Sequence, residues 1–285
     1  LSNVKLFFAG LLVVACSDVG RSQERIQGGT VATDYPEAVF VTSDGFIPCS
    51  GVLLAPKVVL SAGHCRGNGT SFVVTAPNAG NASVTGSRSW SPFDDSAATS
   101  SDVLLIFLDD PITLDAYPTL SPTEVAPNTS VVDIGRTLNG SINTDDYVSP
   151  PVTIEGDASS LGFPFNYEAL PDISEDGDSG GPIMLAGTHT IVAIVDTDTI
   201  EQNISEATPI DLFARIDLVK DSIDAQMGAA NSSDGCATAP PTRRRGDASS
   251  WSAVVALWWI SSRAARARRR APARISKGLR WWRTS

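Results

Sequence analysis

A serine set almost wholly among glycines, in the run Gly177-Asp178-Ser179-Gly180-Gly181-Pro182, is the residue of this chain best placed to attack a carbonyl. A serine hydroxyl is a weak nucleophile until a base takes its proton, and the oxyanion formed on attack needs donors aimed at it. Glycines supply that geometry, because a backbone without Cβ turns sharply and presents N–H groups at close range. Two other residues stand out by their setting. His64, one of two histidines with His189, closes an apolar run from Val58 and sits beside Cys65. Asp102 opens the solidly apolar run Val103 to Leu108, where a charge is unfavourable unless it is hydrogen-bonded, so it requires a partner.

The serine loop resembles the nucleophile loop of the chymotrypsin/trypsin-like serine proteases. The resemblance covers about residues 26–227, with motif matches in the order Ile26, His64, Asp102 and Ser179. Ile26-Gln27-Gly28-Gly29, after Arg25, is similar to the Ile-Val-Gly-Gly at which the family's protease domain begins once a zymogen is cut, with Gln27 in place of Val. Ser61-Ala62-Gly63-His64-Cys65 resembles the first-barrel signature, and Asp102-Val103-Leu104-Leu105 resembles Asp-Ile-Ala-Leu-Leu. The resemblance implies that His64 is the general base for Ser179, that Asp102 orients it, and that the N–H groups of Gly177 and Ser179 bind the oxyanion. It also implies that the new amino group of Ile26 pairs with a buried Asp178, and it leaves His189 without a catalytic role.

The elements that must hold these residues read as strands. Short β-rich runs at 38–41, 51–54, 58–61, 71–74, 103–108, 130–134, 151–154, 182–185 and 190–195, separated by Gly, Pro, Asn and Asp, favour an all-β sandwich or barrel. The resemblance narrows this to two six-stranded antiparallel β-barrels of the chymotrypsin type with a C-terminal helix. Residues 75–100 are polar and read as loops, 118–128 as the crossover between barrels, and the second barrel as running to about 209. Apolar residues at Leu212, Ile216, Leu218, Val219 and Ile223 predict a helix over 211–227.

Charge is divided unevenly along the 285 residues. Residues 1–235 hold 9 Lys and Arg against 31 Asp and Glu, whereas 236–285 hold 12 against 1. The acidic body disfavours nucleic acid as a partner. Cys49 and Cys65, sixteen apart, flank an apolar run and suit a disulfide formed in an oxidising compartment, with two buried free thiols as the alternative. Lys5 followed by the apolar run Leu6 to Ala15 is too short to span a bilayer and suits a signal peptide over residues 1–16. Val13-Val14-Ala15-Cys16 resembles a bacterial lipobox, which would make Cys16 the lipidated first residue of an exported chain held at a bacterial envelope; an ordinary cleavage nearby is the alternative. Residues 17–25 read as a short activation segment and 228–285 as a linker with a basic, Arg-rich tail, either a sorting signal or a disordered extension.

Specificity is where the chain departs from the family. Glu175 stands where a pocket-bracing cysteine would sit, and Asp196-Thr197-Asp198 replaces the substrate-lining Ser-Trp-Gly. Six residues before Ser179, at the family's pocket base, is Ile173, which favours small or medium apolar substrate side chains. A one-residue slip would put Asp172 there and favour Arg and Lys. The expected partners are a protein or peptide substrate and, for an enzyme that rejects arginine, a separate protease to cut Arg25–Ile26. No metal or organic cofactor is called for. A catalytically weak protease-fold binding module, or a surface-anchored one, is the alternative function.

Overall fold

A computed structural model describes residues 29–44, 47–94, 100–206 and 208–234. The expected signal segment with Cys16, the junction Arg25–Ile26 and the basic tail fall outside these residues. After a short strand β1 (Thr30–Val31) come β2 (Ala38–Ser43), β3 (Ile47–Ala55), β4 (Val58–Ser61), β5 (Phe72–Ala76), β6 (Ala82–Trp90) and β7 (Leu104–Leu108). These six close into an antiparallel barrel in the order β2-β3-β4-β7-β6-β5. The chain then crosses through β8 (Thr119–Leu120) to β9 (Thr129–Leu138), β10 (Ser141–Val148), β11 (Val152–Ala158), β12 (Phe163–Leu170), β13 (Pro182–Leu185), β14 (Thr190–Asp198) and β15 (Asp211–Arg215), followed by helix α1 (Lys220–Asp234). The second barrel runs β9-β11-β12-β15-β14-β13 and closes by the pairing of β13 with β9, while β10 and β1 extend it from the β9 edge.

The period of two along a strand decides how the barrels meet. Val131, Ile183, Val192 and Phe213 point into the core of the second barrel, whereas Val132, Met184, Ile191 and Ala214, each one residue away, join the core cluster of the first. Strands buried on both faces read as continuous apolar runs, which is why all five residues of β7 are buried. The seam between the barrels therefore gathers the ends of β4, β7 and β13, where His64, Asp102 and Ser179 lie.

Three expectations about elements are corrected. The polar stretch 75–100 contains the nine-residue strand β6, most of whose residues are half-buried or exposed, so that apolar content did not reveal it. β10 and β12 were hidden in the same way by mixed composition. The helix starts only at Lys220, because residues 211–215 are fully buried as β15 between β12 and β14. A short apolar run does not by itself distinguish strand from helix. Cys49 and Cys65 form the expected disulfide, with Cα atoms 6.2 Å apart, and tie β3 to the turn carrying His64.

Candidate active site

His64 opens a single 3-10 turn just beyond β4, and Asp102 precedes β7, which pairs with β4. Asp102 is 3% exposed and grips His64 at two points: Oδ1 accepts the backbone N–H of His64 at 2.8 Å, and Oδ2 lies 2.5 Å from Nδ1. This double contact fixes both the position and the plane of the ring. Gly63 makes it sterically feasible, since a Cβ there would lie 2.6 Å from Asp102 Oδ1 and 2.4 Å from Phe93 Cβ. Burial works to lower the imidazole's pKa, but the hydrogen bond and charge of Asp102, helped by Glu201, outweigh it and hold His64 above the ordinary histidine value. Burial would likewise raise Asp102, yet the His64 contacts and a hydrogen bond from Asp196 keep it below the usual carboxylate range.

The loop carrying Ser179 is clamped from both barrels. Within the second, Gly180 N–H donates to Val195 O at 2.8 Å, Val195 N–H to Gly181 O at 2.9 Å, and Gly181 N–H to Asp178 O at 2.7 Å. From the first, Ser50 on β3 holds two carbonyls: its N–H donates to Ser179 O at 2.9 Å and its hydroxyl to Gly177 O at 2.9 Å. Gly180, at φ +81°, has no room for a side chain, because a Cβ would meet Ser61 Oγ at 2.3 Å and Ala62 N and Ser50 O at 2.6 Å. With both carbonyls pinned towards β3, the N–H groups of Gly177 and Ser179 donate to no acceptor among the described residues. Ser179 itself is half-buried. Its hydroxyl makes no hydrogen bond to the His64 ring among the described residues, a contact that often tightens only when substrate is bound.

Asp178 is fully buried beside the serine, with Oδ1 accepting Thr137 N–H at 2.8 Å and Oδ2 accepting Glu175 N–H at 3.1 Å. Burial, and then the charge of Asp133, push its pKa well above the ordinary carboxylate value. Its expected partner, the amino group of Ile26, lies outside the described residues.

The residues around the substrate recess follow from the packing of the second barrel. Ile173 is 7% exposed, packs with Tyr167 and Phe213 in that barrel's core, and is not among the residues that border the recess. Asp172 is half-buried, and its charge adds to burial in raising the pKa of Asp211. The recess beside Ser179 is instead bordered by Ser174, Asp176, Thr197, Asp198, Glu201 and Asp211, and its volume is only about 20 Å³. Asp198 lies in this wall, and its Oδ1 accepts Glu201 N–H at 2.8 Å. Asp211 is buried and receives Ile173 N–H at 2.7 Å and Ser174 N–H at 3.3 Å through Oδ2. Asp196 also borders the recess, but one of its oxygens takes Asn166 Nδ2–H at 2.7 Å and its carboxyl clusters with His64 and Asp102, polar atoms of the three lying within 4.8 Å of one another. Ser50, Glu201 and Asp211 were missed by sequence reasoning. Ser50 alone carried a signal, as the neighbour of a disulfide cysteine. His189 pairs through Nδ1 with the buried Glu37 at 2.5 Å and packs against Tyr35.

A double-barrel fold with an acid-gripped histidine and a serine loop docked across the seam defines a class of protein, the chymotrypsin-fold serine protease. The chain belongs to the trypsin family, whose model, described as Trypsin, matches residues 26–223. Among solved structures it is similar to the scabies mite inactivated protease paralogue S-I1, at 20% identity and TM-score 0.59, covering 71% of this chain and all of that one. The scabies mite inactivated protease paralogue S-D1 is similar at 18% identity and TM-score 0.60, covering 70% of this chain and 95% of that one. At such identities the likeness speaks for the fold alone. Comparison with curated proteins found no match.

Proposed function

We propose that the protein is an exported serine endopeptidase that hydrolyses peptide bonds through His64, Asp102 and Ser179. The observation that carries this reading is the two-point hold of Asp102 on His64, at 2.8 and 2.5 Å, across the seam from a serine loop pinned by Ser50. His64 Nε2 takes the proton of Ser179 Oγ as the oxygen bonds to the scissile carbonyl carbon. The carbonyl oxygen, now an anion, is held by the N–H groups of Gly177 and Ser179. The C–N bond then breaks, the proton passes from His64 to the leaving amine, and an acyl group remains on Ser179. Water, deprotonated by His64, releases it by the reverse steps. Asp102 keeps the reactive tautomer and stabilises the imidazolium.

Activation by cleavage between Arg25 and Ile26 belongs to the same reading. It is supported by a buried Asp178 whose described partners are neutral N–H groups beside the serine, since a charge so placed gains most from an incoming ammonium. Export, an envelope anchor at Cys16 and an activating protease are parts of the proposal that rest on the sequence. A second reading, a protease-fold binding module without turnover, is favoured by the small recess beside Ser179. One experiment separates the two. A fluorophosphonate probe should label the protein cut at Arg25 stoichiometrically at Ser179 and should not label Ser179→Ala. Labelling elsewhere, or none after verified cleavage, refutes the enzyme reading.

A further inference from the structure

We propose that Asp196 is a positioning residue of this site, a neutral acid that donates a third hydrogen bond to Asp102 and so leaves a single negative charge behind the His64 ring. The proposal rests on the reading of His64, Asp102 and Ser179 as the reacting set, and its geometry is independent of turnover. A ring nitrogen of His64 and one carboxyl oxygen each of Asp102 and Asp196 all lie within 4.8 Å of one another. One oxygen of each carboxyl thus faces the other acid, and the two act on each other's protonation through a hydrogen bond between them. Two carboxylates have only acceptors, so this bond requires a proton on one of them.

The surroundings decide which acid carries it. Asp102 receives two N–H donors from His64, and both favour its anion. Asp196 receives one, from the neutral amide of Asn166 on β12, at 2.7 Å. The charged and titratable groups facing Asp196 are Asp102 from the segment before β7, His64 from the turn after β4 and Glu201 from the loop after β14. Two of these three are acids that oppose a further negative charge. Burial, followed by the charge of Asp102, accordingly moves Asp196 well above the ordinary carboxylate range. The proton therefore sits on Asp196, on the oxygen turned to Asp102, while the other oxygen accepts from Asn166. The arrangement resembles a shared-proton acid pair, except that His64 decides in advance which partner is charged.

An asparagine at 196 would reproduce the neutral state: its carbonyl can accept from Asn166 and its amide can donate to Asp102. The first test needs no catalysis. The His64 imidazole is titrated by NMR in Ser179→Ala and in Ser179→Ala with Asp196→Asn, with His189→Gln identifying the only other histidine. A neutral Asp196 predicts His64 midpoints that agree within about 0.3 pH unit in the two proteins. An ionised Asp196 within 4.8 Å would hold His64 up by roughly two pH units, and a fall of that size on substitution overturns the proposal.

The second test is kinetic. Asp196→Asn should keep kcat within about threefold of the parent. Asp196→Ala, and Asp196→Leu as a second donorless variant, should lose roughly ten- to a hundredfold in kcat with KM little changed, the worth of one hydrogen bond to a charged group. Equal rates for Asn and Ala overturn it. If the donorless variants do not fold, Asp196→Ser supplies a shorter donor: a kcat between that of the Asn variant and a roughly hundredfold loss supports the proposal, and a loss beyond about a hundredfold overturns it. Failure of wild-type labelling by fluorophosphonate would remove the protease reading and leave the titration standing as a test of the acid pair.

Discussion

Replacing Ser50 with alanine tests whether the first barrel, rather than the serine loop itself, holds the oxyanion-binding peptide in place. Ser50 is 1% exposed, so water cannot take over from its hydroxyl. The substitution removes the 2.9 Å bond to Gly177 O and keeps the backbone bond to Ser179 O, so the loop stays tethered at one of its two points. A buried carbonyl left without a donor costs about 1–3 kcal/mol. That cost can appear in two places. If the loop stays, it falls on stability. If the Gly177 peptide rotates to find another donor, its N–H turns away from the oxyanion and kcat falls, by at most the roughly hundred- to thousandfold of a lost oxyanion donor. Urea midpoints and kcat measured on the same preparation should together account for about 1–3 kcal/mol. Ser87→Ala, which removes an exposed hydroxyl bonded to Asp109, should stay within about 0.5 kcal/mol as a control. If Ser50→Ala leaves both readouts within about 0.3 kcal/mol of the parent, the Ser50 hydroxyl does not hold the Gly177 peptide in place.

Three further outcomes are expected. Asp178→Asn should fold, accept cleavage at Arg25 and stay nearly inert; an uncut precursor as active as the cut form would refute activation through this carboxylate. Asp133 is wholly buried, its Oδ1 is unpartnered among the described residues, and burial raises its pKa to about 7. The native state therefore binds more protons than the unfolded chain between the ordinary carboxylate value and about 7, and this group's contribution to stability declines as pH rises through that window. Asp133→Asn should consequently raise the urea midpoint at pH 8 more than at pH 5, by an amount worth ~2–4 kcal/mol at most, and an equal effect at both pH values contradicts the argument. Finally, the recess of about 20 Å³, bordered by Asp176, Asp198, Glu201 and Asp211, should give a substrate panel headed by small side chains before the cut bond, with Asp and Glu last. Dominant cleavage after bulky aromatic or acidic residues would show that the recess opens or that substrate lies elsewhere.

The sequence by itself determined the parts of this protein that depend on local chemistry. Gly177 to Pro182, Gly63-His64-Cys65 and Asp102 were legible because each occupies a short run in which spacing and residue type are constrained together. The glycine contacts show why: at Gly63 and Gly180 a single added carbon collides with Asp102 or with β3 and β4. Strands buried on both faces, such as β7, were legible as unbroken apolar runs. What only the tertiary structure decided depends on which residues of distant segments face each other. Ser50 reaches Gly177 across 127 positions of sequence, and Asn166 reaches Asp196 across 30. Strand register, with its period of two, sets such meetings and leaves no mark in either segment alone. Ile173 was expected at the base of the recess by counting along the loop, but the structure buries it in the barrel and puts Asp211, from a strand first read as helix, into the wall. Counting back from Ser179 located a position in the chain but not the direction of its side chain, which the packing of the second barrel decides.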